Sequence, residues 1–287
     1  MAQIIGGIAT SHIPAIGKAI AQGLQDQPYW KPFFDGYNPV QAWLRDEQPD
    51  IVVVIYNDHG LNFFLDKMPT FAVGAAAEYR NSDEGWGLPV SLPFPGYPEM
   101  SWHIIESLVR DEFDITMCQE MLVDHAFVVP LTLMWPERNA RPVRVIPVAI
   151  NTVQFPLPSP SRCFKLGAAL SRAVESFDEN LRVVVVGSGG LSHQLEGKRA
   201  GFINRKFDLL CLDQIVRDPE AIACYSIADI VRLSGAQGTE LTTWLAMRAA
   251  LTGEVTERHH NYHAPVSNTA TAVMVLENRS LALDETA

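Results

Sequence analysis

Ile51-Val52-Val53-Val54-Ile55-Tyr56 runs straight into Asn57-Asp58-His59. Six consecutive apolar or β-branched residues are too few for a convincing helix and read as a strand buried on both faces. The three polar side chains that follow stand just beyond the carboxyl end of that strand, where α/β folds gather their chemistry. The arrangement occurs twice more. Gln3-Ile4-Ile5-Gly6-Gly7-Ile8-Ala9 leads into Thr10-Ser11-His12, and Leu181-Arg182-Val183-Val184-Val185-Val186 leads into Gly187-Ser188-Gly189-Gly190-Leu191-Ser192-His193. Three apolar strands each deliver a histidine.

The chain has 287 residues, 47% hydrophobic and 19% charged, enough to fill a large core. A net charge of −11 leaves no basic stripe for phosphates and suits an anionic membrane surface equally poorly. Cys118, Cys163, Cys211 and Cys224 are widely spaced with no C-x-x-C, so neither a thiolate zinc site nor a disulfide framework is suggested. The start, Met1-Ala2-Gln3-Ile4, lacks the basic region of a signal peptide, and no apolar run approaches a membrane span. A cytoplasmic protein is expected.

Strands and helices alternate along the chain without repeats or linkers, which predicts one α/β domain over 1–287. Its central sheet is mostly parallel or mixed and flanked by helices, with the active site at strand ends. Helices are expected near 19–24, 40–45, 102–113 and 161–177, and strands near 70–74, 143–150 and 271–276. Residues 78–99 lose periodicity under four prolines and three glycines, which predicts a long lid, contact loop or surface excursion. The C-terminal third reads as mainly helical, with one helix beginning near Thr239-Glu240. His259, His260 and His263 crowd a polar stretch that reads as solvated loop.

Two imidazoles and one carboxylate with open positions beside them are the usual environment of non-haem Fe(II). His12 and His59 at strand ends, with Glu240 from elsewhere, are candidates. Spacing alone does not choose between ligation and a bland role. A histidine after a strand is commonly a hydrogen-bonded loop residue, and an acidic residue in the first turn of a helix favourably opposes its dipole. His193 follows two glycines that permit close backbone approach. It suits a general base near neutral pH, while a glycine-rich strand-to-helix turn binding phosphate stays open beside it. No G-x-S-x-G elbow is present in that segment.

Taken in order, six short motifs resemble the class III extradiol ring-cleaving dioxygenases, among them the large β subunits of protocatechuate 4,5-dioxygenases. They are Thr10-Ser11-His12-Ile13-Pro14-Ala15-Ile16-Gly17, Tyr56-Asn57-Asp58-His59, Asp83-Glu84-Gly85-Trp86-Gly87, Val123-Asp124-His125, Gly189-Gly190-Leu191-Ser192-His193-Gln194-Leu195 and Ser267-Asn268-Thr269-Ala270. They span nearly the whole chain. The resemblance implies His12, His59 and Glu240 as Fe(II) ligands and His193 as catalytic base. It implies His125 as a second active-site histidine giving a hydrogen bond or proton to substrate or oxygen, and Ser267 and Asn268 as contacts of a ring carboxylate. The implied reaction uses O2 to open a carboxylated catechol, protocatechuate by 4,5-cleavage, beside rather than between its hydroxyls.

Two features depart from the protocatechuate pattern. Residues 128–137 are closer to the gallate branch, and Ala126 stands where glycine is usual, so gallate, 3-O-methylgallate or another substituted catechol are the alternative substrates. The resemblance also implies a small helical α subunit, a separate chain capping the site in an α2β2-type assembly. A non-catalytic binding protein of the same fold and a metal-dependent hydrolase are the readings from other classes.

Overall fold

The computed structural model describes residues 1–88, 93–137 and 143–279. In chain order the first half contains β1 (Gln3–Thr10), α1 (Pro14–Ala21), α2 (Lys31–Asp35), α3 (Asn38–Glu47), β2 (Ile51–Tyr56), β3 (Phe71–Gly74), β4 (Glu78–Asn81), β5 (Phe94–Pro95), α4 (Pro98–Arg110), β6 (Ile115–Cys118) and β7 (Leu122–Val123). The second half contains α5 (His125–Met134), β8 (Arg144–Ile150), α6 (Pro160–Glu175), β9 (Arg182–Ser188), α7 (Arg205–Arg217), α8 (Pro219–Ala223), α9 (Ile227–Ser234), α10 (Leu241–Ala249), β10 (Glu254–Val266) and β11 (Thr269–Arg279).

An eight-stranded sheet runs in the order β10-β11-β1-β9-β2-β8-β3-β6. Its central strands β1, β9, β2 and β8 are mutually parallel, whereas β11 pairs antiparallel with β1 and β3 antiparallel with β8. The mixed α/β sheet expected from the sequence is therefore present. All six residues of β2 are buried. At about 1.5–3 kcal/mol per buried aliphatic side chain, this strand alone contributes on the order of 10 kcal/mol as an upper bound. That is why an unbroken apolar run, rather than an alternating one, marks the middle of the sheet. Helices cover both faces: α4, α6 and α10 close one core, while α1, α3 and α5 help to close the other.

Three expectations change. Residues 78–99 are not wholly irregular, for β4 and β5 pair with each other and β4 pairs with β7 in a small second sheet. Two- to four-residue strands are too short to show periodicity. Residues 89–92 of that stretch lie outside the described residues. His259, His260 and His263 lie not in a loop but in β10, a 13-residue strand at the sheet edge, where half-exposed polar side chains are tolerated and discourage further pairing. The C-terminal third carries the expected helices α7–α10 and the strand expected near 271–276, but that strand, β11, pairs with the unexpected β10 in a long hairpin. Among the described residues no helix is long and apolar enough to cross a membrane. The four cysteines are free.

Candidate active site

Strands β1, β9 and β2 are adjacent and parallel, about 4.8 Å apart, so their carboxyl ends open together along one edge of the sheet. His12 follows β1, Asn57 and His59 follow β2, and Ser188 ends β9 with His193 five residues on. Sheet order, not chain spacing, brings these residues together.

Glu240 comes from the covering helix layer. It ends a 3-10 turn, Gln237–Glu240, directly before α10, and it is buried. The head of α10 lies so close to the end of β9 that a Cβ on Gly187 would stand 2.8 Å from the Thr243 carbonyl oxygen. One on Gly189 would stand 2.8 Å from Glu240 Cβ. Glycine at these two positions admits the carboxylate to the strand ends. The glycines therefore serve helix packing and do not open a phosphate-binding helix, for α7 begins only at Arg205.

Around Glu240 stand the three ring nitrogens His12 Nε2 at 3.7 Å, His59 Nε2 at 3.6 Å and His193 Nε2 at 3.9 Å. His125 completes the ring of imidazoles, its centroid 4.3 Å from that of His59 and 5.5 Å from that of His12. Ring nitrogens of His12, His59 and His125 lie within 4.8 Å of one another.

The chemistry lies in what the other ring nitrogens do. The Ser188 hydroxyl donates to the Ala126 carbonyl oxygen (2.6 Å), so its oxygen accepts from His12 Nδ1–H at 2.9 Å. His59 Nδ1–H donates to Asp124 Oδ2 (2.9 Å), which also accepts the His59 backbone N–H (2.9 Å). His125 Nδ1–H donates to Glu84 Oε1 (2.8 Å), whose Oε2 takes the His125 backbone N–H (2.7 Å). His193 Nδ1–H donates to the Leu191 carbonyl oxygen (3.0 Å). Four histidines are thus fixed as the same tautomer by their acceptors, leaving Nε2 as the available nitrogen of each.

His12 Nε2, His59 Nε2 and Glu240 fit one metal ion. Ligands at about 2.1 Å and right angles on one ion lie about 3 Å apart, so donors 3.6–3.7 Å apart need only a small closing movement. Asn57 lies between two of these donors. Its amide Nδ2 donates to Glu240 Oε1 (3.3 Å) and lies 3.0 Å from His59 Nε2, while its buried Oδ1 has no partner among the described residues. A second group of potential ligands, Glu84, Asp124 and His125, also lies within 4.8 Å. Its carboxylates are committed to N–H donors, Asp124 Oδ1 accepting from Ala126 N (3.0 Å). It is a clamp, not a metal centre.

Burial pushes His12 down to about 3, with the Glu240 charge opposing it only in part. Burial acts the same way on His59, yet its bond to Asp124 and the nearby Glu240 carboxylate prevail and raise it to about 10. Glu240 and Asp124 are each pushed up by burial but held down to about 2 by the histidines around them. A negative carboxylate thus stands among imidazoles and draws His59 toward its protonated form. The His59 ring is 28% exposed and marks where the site opens to solvent.

Ser267 and Asn268 form the exposed turn between β10 and β11. Thr269, next in the chain, bridges His193, and Ala270 N–H donates to the Ser192 carbonyl oxygen (3.0 Å), so the turn stands beside His193. Asp208 anchors the same corner, accepting from Ser192 N–H (2.9 Å), the Ser192 hydroxyl (2.7 Å) and Tyr262 (3.0 Å). All seven candidates thus fall at one end of the sheet, five of them around one point. His259, His260 and His263 stay apart, with His259 donating to the Gly36 carbonyl oxygen (2.8 Å) and His260 paired with Glu257.

The family described as the catalytic LigB subunit of aromatic ring-opening dioxygenase matches residues 6–274. The chain belongs to this family. It is 41% identical over 203 residues to a gallate dioxygenase of Pseudomonas putida, covering 70% of this chain and 59% of that protein. A 2,3-dihydroxyphenylpropionate/2,3-dihydroxicinnamic acid 1,2-dioxygenase of Photorhabdus laumondii is 31% identical over 65% of this chain and 55% of its own length. The chain therefore spans a little over half the length of these relatives. In fold it is similar to an uncharacterized protein of Escherichia coli K12, with a TM-score of 0.60 at 13% identity over 94% of this chain and 99% of that one.

The sequence reading left four residues of the site without a role: Asn57, Glu84, Asp124 and Ser188. Each was inside or beside a quoted motif, and Asp124 directly precedes a candidate histidine. For Glu84, Asp124 and Ser188 the task of orienting imidazoles leaves no spacing signature, because partners 41–176 positions apart in the chain meet only in the fold.

Proposed function

We propose that this chain is an Fe(II)-dependent extradiol dioxygenase that opens the ring of a carboxylated catechol, with both atoms of O2 entering the product. The observation that carries this is the set of four Nδ1-pinned imidazoles around one buried carboxylate. His12, His59 and Glu240 would hold the ion on one side and leave the rest of its surface for exchangeable ligands. When bound, Fe(II) supplies a Lewis acid and an electron relay between an electron-rich ring and dioxygen.

The chain's own groups handle the protons. His193 Nε2 carries a free lone pair because Nδ1–H is committed to a carbonyl oxygen, so it accepts a substrate hydroxyl proton as general base. His125 presents an unprotonated Nε2 beside His12 and His59, so it must first take up a proton there, with the Glu84 carboxylate on Nδ1–H stabilising the imidazolium, before returning it to the oxygen-bearing side. Ser267 and Asn268, at the rim beside His193, supply polar groups to the ring carboxylate of a substrate that this acidic protein would otherwise repel.

The relative at 41% identity favours gallate as the first substrate to test. Protocatechuate is the second reading, supported by the Ser267-Asn268 pair. A small helical partner capping the site is also proposed. Leu65, Trp86 and Leu195, exposed by 79%, 55% and 55%, follow His59, Glu84 and His193 closely in the chain and would give such a cap an apolar rim.

Oxygen uptake by the anaerobically purified, Fe(II)-loaded chain, with and without a co-produced small subunit, tests the proposal. One O2 consumed per gallate or protocatechuate, with a product heavier by two oxygen atoms, supports it. No uptake with either acid or with 3-O-methylgallate, in both preparations, would leave a non-catalytic binding protein.

A further inference from the structure

Glu84 is the one carboxylate of this site carried by an irregular segment. It lies between β4 and residue 88, in a stretch where the Asp83 side chain accepts from Gly85 N–H (2.8 Å) and where Gly85 and Gly87 adopt φ values of +76° and +78°. The segment is fastened at its far end by Leu88. That side chain packs over Gly17 of α1 so closely that a Cβ there would stand 1.9 Å from Leu88 Cδ2, beside Val129 of α5. Between Asn81 and Leu88 the chain is thus held against the site, and Glu84 reaches His125 with its side chain only 12% exposed.

Both of its oxygens are used on one residue: Oε2 on the backbone N–H and Oε1 on Nδ1–H of His125. A bidentate clamp of this kind fixes where the ring points and which nitrogen is free. A backbone N–H can only donate. With a carboxylate opposite both atoms, Nδ1 must donate as well, and Nε2 is turned toward His12 and His59. We propose that Glu84 is a positioning residue for the ring-opening reaction, setting the tautomer and direction of His125 from the 82–88 segment. The inference rests on the functional reading given above for its kinetic consequence, but its structural content does not.

Glu84→Gln separates the possibilities, because an amide offers one acceptor where two donors face it. The backbone N–H cannot change, so the amide oxygen stays with it and the amide N–H2 meets Nδ1. The ring then moves its proton to Nε2. Nitrogen-15 spectra of the metal-free, histidine-labelled chain read this directly: His125 is expected as the Nδ1–H form in the native protein and the Nε2–H form in E84Q. In the Fe(II)-loaded protein, kcat is expected to fall about 10- to 100-fold with KM and bound iron close to native. Glu84→Asp, which keeps two acceptors, is expected to retain the native tautomer and recover part of kcat.

An unchanged tautomer and unchanged kcat in E84Q would overturn the proposal. So would E84D and E84Q losing kcat and thermal stability equally, which marks a merely structural role. If the native iron-loaded chain opens no catechol, the functional reading fails while the spectra still decide the role of Glu84.

Discussion

Asp124 and Glu84 make the same clamp on two different histidines, and they do it from different supports. Each accepts a backbone N–H and an imidazole Nδ1–H from a single residue, Asp124 from His59 and Glu84 from His125. Asp124 has a fully buried side chain and caps the start of α5, tying its geometry to a regular element. Glu84 sits on a segment shaped by turns. The division follows the chemistry: residues proposed to hold an ion hang from strand ends, a helix head and a capping residue. One of the two residues proposed to move protons is aimed by a loop. Metal donors must keep their positions within a few tenths of an ångström, whereas a proton donor must meet a substrate that comes and goes.

The two halves of the site are most sharply separated by paired losses. Glu240→Ala removes a donor and leaves the imidazoles without their counter-charge, so bound iron is expected to disappear on purification and turnover to fall by at least about 1000-fold. Metal analysis beside oxygen uptake checks it; iron retained at native levels would remove Glu240 from the ligand set. His193→Ala should do the opposite, keeping iron while turnover drops about 100- to 10,000-fold, the usual range for a lost general base. Loss of iron there would merge the two halves.

Asp124→Asn comes next. Asparagine cannot accept from the His59 N–H, His59 Nδ1–H and Ala126 N–H together, so the ring loses its fixed tautomer. Metal affinity is expected to weaken about 10- to 100-fold, with about 1–3 kcal/mol of stability lost from unsatisfied buried donors. Competition with a chelator and urea unfolding measure the two effects. A stability loss with native metal affinity would reduce Asp124 to a helix cap.

The same residues give the metal-free chain a pH signature. His59 is raised to about 10, so its contribution is fully present below its ordinary value of 6.5 and lost as pH rises through 10. Asp124 and Glu240, held at about 2, contribute above their ordinary values of 3.8 and 4.5 and lose that contribution as pH falls toward 2. Burial lowers His12 to about 3, so it costs stability as pH falls below its ordinary value of 6.5. Stability of the metal-free chain should therefore peak near pH 6.5, declining toward 10 and toward acid, and D124N should flatten the alkaline decline. Urea midpoints at pH 6 and 9 read it. An equal decline in D124N would place its origin elsewhere.

Much of this was legible from the chain. The runs 51–56 and 181–186 announced buried parallel strands because both faces are covered, and His12, His59 and His193 stood out by following such runs. Glu240 was a different matter: as a first-turn acid it had an adequate helical explanation, and only its approach through Gly187 and Gly189 sets it among the histidines. The hairpin at 254–279 was missed in its first strand because an edge strand of polar residues carries no apolar period. Glu84, Asp124 and Ser188 were invisible as orienting groups for the same reason in each case. Their partners are set by strand order and helix placement, which a linear pattern does not contain.

Ser188→Ala is the mildest way to test whether charge in the orienting group matters. Ser188 does for His12 what Asp124 does for His59, but with a neutral hydroxyl whose own proton is held by the Ala126 carbonyl oxygen. Alanine leaves both His12 Nδ1–H and that carbonyl oxygen without a partner in a buried place, at a cost of about 1–2 kcal/mol in stability. His12 is already held neutral by burial, down to about 3, so no charge is left uncompensated and the ring keeps its packing. Metal affinity should weaken by about tenfold, the lower end of what an orienting partner contributes, and by less than in D124N. If both substitutions weakened metal equally, a neutral acceptor would be worth as much as a carboxylate. The negative charge of Asp124 would then serve the helix cap and the pH response rather than the ion.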